Sequence, residues 1–78
     1  MSKLPVVSGQ EVIKALAKIG FVHMRTTGSH AILRKSNPAG DIVVPVPLHK
    51  ELAKGTLLSI MHQVKLRRED FILLIGGR

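Results

Sequence analysis

The sequence has no cysteine, no tryptophan and no tyrosine, and only five of its 78 residues are acidic. Without cysteine there are no disulfides and no thiolate metal sites, which are the usual staples of a small secreted domain. The aromatic residues are Phe21 and Phe71, so the core must be built from Leu, Ile and Val. The carboxylates are too few and too scattered to suggest a magnesium cluster, so no metal site and no cofactor is expected. No apolar run approaches the ~20 residues that span a bilayer. Met1 to Val7 holds one Lys and no long apolar stretch, unlike a signal peptide. A cytoplasmic protein with no membrane partner is the expectation. The length suits one domain, residues 1–78, whose core has to be compact.

What the chain has in excess is positive charge. Twelve Lys and Arg against five Asp and Glu give a net charge of +7. Such a balance favours a polyanionic partner, nucleic acid before an acidic protein or a membrane surface.

Ser8-Gly9-Gln10-Glu11 has the form of a capping box, in which side chains at the first and fourth positions exchange bonds with each other's backbone N–H. Val7 and Val12 flank it as a hydrophobic staple, and Val12, Leu16 and Ile19 continue at helical spacing. A helix is expected over about residues 9–19, stopped by Gly20 in a left-handed conformation. Residues 21–26 and 30–35 read as strands around a Thr27-Gly28-Ser29 turn. Ser36 to Gly40 is dense in turn formers and leads to a third strand over 41–46, which Pro45 and Pro47 should end or place at an edge. Lys54-Gly55-Thr56 precedes a second helix with Leu57, Ile60, Met61 and Val64 on one stripe. A short last helix follows over 67–75, ended by Gly76 and Gly77. The order is α-β-β-β-α with a short C-terminal helix. This is an α+β fold in which helices cover one face of an antiparallel three-stranded sheet and leave the other open.

Alternation assigns the strand faces. Val22 and Met24, with Ala31 and Leu33, should lie under the helices. His23, Arg25, His30 and Arg34 should then share the open face. Arginine offers phosphate a planar fork. Histidine, with an ordinary pKa near ~6.5, moves protons at neutral pH. RNA carries its own nucleophile, the 2′-OH, so its cleavage needs only deprotonation of that hydroxyl, stabilisation of the phosphorane and protonation of the leaving oxygen. The start of the second helix adds an anion site, with Lys50 and Lys54 nearby and the Thr56 hydroxyl as cap. A plain cap with solvated lysines accounts for that pattern equally well. On spacing alone, a histidine beside a Gly-Ser turn is more often a surface residue than a catalyst, and a non-catalytic RNA-binding module is the stronger reading. A protein-interaction domain for an acidic partner is a third.

A longer pattern adds to this. Leu4-Pro5 with Ser8-Gly9, Gly20-Phe21, Gly28-Ser29-His30, Val44-Pro45-Val46-Pro47, His49-Lys50-Glu51-Leu52, Lys54-Gly55-Thr56-Leu57 with Ser59-Ile60, Gln63 to Leu66 and Glu69-Asp70-Phe71 occur in an order that resembles the HicA toxins, the YcfA-like family. The resemblance covers nearly the whole chain. It implies a double-stranded-RNA-binding-domain-like fold and the toxin of a type II toxin-antitoxin module. The implied activity is that of a metal-independent endoribonuclease, an mRNA interferase held in check by a HicB-like antitoxin. It also implies that His30 is the essential histidine. Gly28, Ser29, Arg25, Arg34, Lys50, Lys54 and Thr56 are then the candidate RNA contacts, with His23, Ser29 or a lysine as the second proton-transfer group. Two positions depart from the family pattern. Ala31 stands where members often have a second His or an aromatic, and Lys65-Leu66-Arg67-Arg68 replaces a Gly- or Ser-containing cap. No role is carried over to His49.

Overall fold

The computed structural model describes residues 3–76. The elements are α1 (Gly9–Ala17), β1 (Val22–Thr27), β2 (His30–Lys35), β3 (Ile42–Pro47), α2 (Lys54–Val64) and α3 (Arg68–Gly76). The strands form one antiparallel sheet in the order β1-β2-β3, and the chain is α+β, consistent with a double-stranded-RNA-binding-domain-like arrangement.

The start of α1 is set locally. Glu11 N–H donates to Ser8 Oγ at 3.1 Å, and Ser8 N–H donates to Glu11 Oε1 at 2.9 Å, closing the capping box. Val7 and Val12, either side of it, are both buried. The helix ends two residues earlier than its periodicity suggests. Gly20 takes φ +101°, its N–H donates to the Ala17 carbonyl, and the Phe21 N–H donates to the Leu16 carbonyl. These two bonds tie off orphan carbonyls in a Schellman motif. The end of α2 repeats this pair of bonds, from Lys65 N–H to the His62 carbonyl and from Leu66 N–H to the Met61 carbonyl. There Lys65 occupies the left-handed position, at φ 59° and ψ 41°. The departure from the family pattern at Lys65 is thus a helix cap carried by a residue other than glycine.

In β2, and in β3 as far as Val46, the alternation holds; Pro47, opposite the exposed His30, is buried as well. Ala31, Leu33, Val44 and Val46 are buried under the helices, while His30, Arg34, Val43 and Pro45 are exposed. Ala31 is fully buried, so the second departure from the family pattern falls in the core. β3 is an outer strand, the position in which Pro45 is tolerated.

In β1 the expected alternation fails. The register shifts between His23 and Arg25, with Val22 opposite Arg34 and His23 opposite Leu33, then Arg25 opposite Ile32 and Thr26 opposite Ala31. The extra residue, Met24, forms a β-bulge, which reverses the parity of everything before it. Val22 and Met24 are therefore exposed, at 58% and 53%, rather than buried under the helices. His23 leaves the open face, joins the side of Leu33 and Thr26, and bonds the Thr26 hydroxyl at 3.0 Å. Arg25 keeps its expected place.

The helices supply the rest of the core. Leu16, Leu57, Ile60, Met61, Val64 and Phe71 join the sheet residues in one buried cluster, and among the described residues no polar side chain is buried. α3 is centred on the fully buried Phe71 and includes Gly76, while Gly77 lies outside the described residues.

Candidate functional site beside the first turn of helix α2

The turn that delivers His30 is short. Thr27 pairs with His30, so Gly28-Ser29 is a two-residue hairpin loop. Gly28 has φ +58° and Ser29 does not share that region, the pattern of a type II′ turn with glycine in its first central position. His30 is then the first residue of β2, exposed and opposite Pro47 of β3.

The chain between β3 and α2 is pinned by backbone hydrogen bonds. Leu48 N–H donates to the Ser29 carbonyl at 2.7 Å, Gly9 N–H to the His49 carbonyl at 2.9 Å, and Leu52 N–H to the Val7 carbonyl at 2.8 Å. These bonds fix the entry of α2 relative to both the β1–β2 turn and α1. The helix begins earlier than the sequence suggests. Ala53 is its N-cap with no side-chain acceptor, Lys54 and Gly55 belong to the first turn, and Thr56 is its third residue rather than its cap. No side chain of the helix's own cap satisfies the first-turn N–H groups, which carry the positive end of the helix dipole.

Between the β3 edge and α2 lies an open groove of about 420 Å³. His30, Pro45 and Pro47 line it from the sheet, and Gly55, Thr56, Ser59, Ile60 and Gln63 from the helix. The helical spacing explains the second set. Thr56, Ser59 and Gln63 stand at i, i+3 and i+7, one face of α2, beside the apolar stripe that enters the core.

The expected site residues other than Lys50 thus divide into two groups. His30 and Thr56 share the groove, with Lys54 at the head of the same helix, and the Gly28-Ser29 turn leads directly into His30. Arg25 and Arg34 line a separate depression of about 410 Å³ on the open face, with Met24, Ile32, Asp41 and Val43. Arg34 is ion-paired there, its Nε donating to Asp41 Oδ2 at 2.8 Å. That hydrogen bond holds the Asp41 carboxyl below the ordinary carboxylate range. Lys50 is exposed in the pinned loop and lines neither cavity. His23, on the other side of the sheet, is removed from His30 as a partner group. Ser59 and Gln63 were missed as site residues, although their i, i+3, i+7 spacing with Thr56 was the available signal.

Among the described residues no three His, Asp or Glu side chains converge to hold a metal ion. Among them, too, no helix is long and apolar enough to cross a membrane.

Comparison of the chain with curated proteins found no match. The family model described as the HicA toxin of bacterial toxin-antitoxin matches residues 9–66, a span that runs from the first residue of α1 through β1–β3 to the end of α2 and includes every residue of the groove. The chain belongs to the HicA toxin family.

Proposed function

We propose that this chain, a single domain over residues 1–78, is the toxin of a type II toxin-antitoxin module. In this reading it is an mRNA interferase that cuts RNA in the cytoplasm without a metal and is neutralised by a HicB-like antitoxin. The observation that carries the reading is that His30 shares one groove with the uncapped first turn of α2. A phosphodiester seated there meets an imidazole on one side and backbone N–H groups at the positive end of a helix on the other. His30 exchanges a proton with the 2′-OH or with the leaving 5′-oxygen. The N–H groups of Gly55 and Thr56 and the Lys54 ammonium steady the charge that builds on the phosphorane. The Gly28-Ser29 turn fixes His30 through the bond between the Ser29 carbonyl and Leu48. Arg25, Lys50 and the ion-paired Arg34 then act outside the groove, along the flanking RNA backbone.

The test is expression of the wild type and His30→Ala, followed by incubation of each purified protein with RNA in excess chelator. His30 is exposed, so the variant stays folded. It is expected to bind RNA, to lose at least about a hundredfold in cleavage rate, and to leave growth unimpaired. Cleavage retained in His30→Ala overturns the role of this residue. Intact RNA with a salt-sensitive gel shift in the wild type replaces the enzyme with a non-catalytic RNA-binding module.

A further inference from the structure

The groove extends beyond what a phosphate needs. Thr56 and Gln63 are seven residues apart, so the polar face of α2 runs about 10 Å along it. The groove is open to solvent along this length. Its two walls differ. The sheet wall is the exposed ring of Pro45 with the buried Pro47 beside it, neither of which carries an N–H, and the helix wall presents Thr56, Ser59 and Gln63.

Single-stranded RNA is ordinarily gripped by stacking its bases on exposed aromatic side chains. This chain has no exposed Phe, Tyr or Trp to offer, and its exposed rings are those of histidines, of which His30 is the one at the groove. Tryptophan and tyrosine are absent, and Phe21 and Phe71 are 4% and 0% exposed. Arginine is the other stacking surface, but Arg34 is paired with Asp41 and Arg25 lines the separate depression, so no arginine lines this groove. The flat apolar groups at the groove are the two prolines, of which Pro45 is exposed and Pro47 buried. Facing them is an amide held in place, since Gln63 Nε2 donates to Ser59 Oγ at 3.3 Å. Among the described residues that bond leaves Gln63 Oε1 and the second N–H without a partner, a donor and an acceptor side by side. Every nucleobase carries a donor and an acceptor side by side on its Watson–Crick edge.

We infer that the groove beside His30 is a nucleobase subsite, in which a base next to the bound phosphate lies against the exposed ring of Pro45 and has its edge read by the Gln63 amide, which is bonded to Ser59. The inference rests on the proposed phosphate position at His30 and extends it to substrate selection. Gln63 is a specificity residue here and takes no part in proton transfer. The order of the two groups differs, since adenine and cytosine carry the donor on the exocyclic position and guanine and uracil the acceptor, so a base whose order matches the amide is favoured and sets the preferred cutting position.

The test does not depend on cleavage. The wild type and Gln63→Leu are titrated with each of the four ribonucleoside 3′-monophosphates and with inorganic phosphate, and the backbone and side-chain amide resonances are followed by NMR. Gln63 is exposed, and the same spectra report whether the variant is folded. In the wild type, nucleotides should shift the Ser59, Ile60 and Gln63 amides, with affinities differing among bases by on the order of tenfold. Inorganic phosphate should leave the Gln63 side-chain amide unmoved. Gln63→Leu should flatten the differences among bases while phosphate still binds. Shifts centred on Arg25 and Arg34, or a base ranking unchanged in Gln63→Leu, overturn the subsite. A failure of the cleavage reading shows separately, as intact RNA in the wild type or persistent cutting by His30→Ala.

Discussion

Arg34 and Asp41 face each other across the start of the β2–β3 hairpin, and both the Nε and Nη2 groups of the arginine converge on a single oxygen, Asp41 Oδ2. The pair decides how much of the open face's positive charge is available to a polyanion. An arginine already bonded to a carboxylate contributes less to phosphate binding than its formal charge suggests. Asp41→Ala releases it and raises the net charge by one. RNA affinity should increase, and log K against log salt should steepen by about 0.7, the increment for one further phosphate contact on a single strand. Fluorescence anisotropy across a salt series measures this, and an unchanged slope means that Arg34 lies outside the RNA path.

The same pair makes stability depend on pH. The folded-state pKa of Asp41 is lowered, first by the hydrogen bond from Arg34, from an ordinary value of 3.8. A depressed carboxylate stabilises the fold above its unfolded value, and that contribution is lost as pH falls through the folded value. Wild type should therefore melt above Asp41→Asn at neutral pH. The gap should stay constant down to about pH 4 and close below it. A gap that widens on acidification contradicts this assignment. The pair is exposed, so the gap should be small.

Gly9 is required for a steric reason. A Cβ at this position would overlap the Pro47 carbonyl oxygen and lie 3.1 Å from Leu48 Cα, both of them backbone. Backbone pinned by the Gly9–His49 bond cannot yield as a side chain would. Gly9→Ala should cost about 2–3 kcal/mol, lowering the melting temperature by roughly 10 °C or more. Because Pro47 is also a wall of the groove, the surviving folded protein should bind RNA more weakly. Calorimetry beside anisotropy separates the two losses.

The contrast between α1 and β1 shows what was legible in the sequence. The capping box at Ser8 and Glu11 is complete within four residues, so its pattern alone specifies it. The bulge at Met24 is a property of pairing with β2, and nothing in residues 22–27 by themselves announces a register shift. Strand alternation therefore placed His23 on the wrong face while being right for His30, whose strand is regular. The start of α2 was misread for a related reason. The backbone bond from Leu52 to Val7, a residue far away in the chain, fixes the helix entry, so α2 starts at Lys54 without a side-chain cap and Thr56 faces the groove. The groove itself joins β2, β3 and α2, and only the assembled fold brings Ser59 and Gln63 to His30.

Lys65 has an internal control. Gly20 and Lys65 end their helices with the same two backbone bonds, yet only Lys65 carries a Cβ into the left-handed region. That conformation costs an L-residue roughly 1–2 kcal/mol. Glycine removes the strain but loses more backbone entropy on folding, which offsets part of the gain. Lys65→Gly should stabilise the protein by about 0.5–1 kcal/mol. It should raise the melting temperature by a few degrees and leave RNA cleavage unchanged, since Lys65 does not line the groove. A thermal melt showing no gain would mean that the lysine side chain compensates for its backbone.

Gly55 should show the opposite relation between stability and function. It lies in the first turn of α2, its φ is not in the left-handed region, and a Cβ there would meet nothing within 4 Å. No packing constraint calls for glycine, and in a helix it is less favourable than alanine by up to about 1 kcal/mol. Its position on the groove supplies a reason: without a side chain, the first-turn N–H groups can be approached closely by a phosphate. Gly55→Ala should therefore raise the melting temperature by a few degrees, for a gain of about 0.5–1 kcal/mol. The added methyl group displaces the bound phosphate from His30, and kcat/KM for RNA should fall on the order of tenfold or more. Lys65→Gly, equally stabilised but remote from the groove, is the control that keeps the loss from being ascribed to rigidity. If Gly55→Ala gains stability and still cuts at the wild-type rate, the phosphate does not sit at the start of α2, and His30 must meet its substrate from the open face of the sheet.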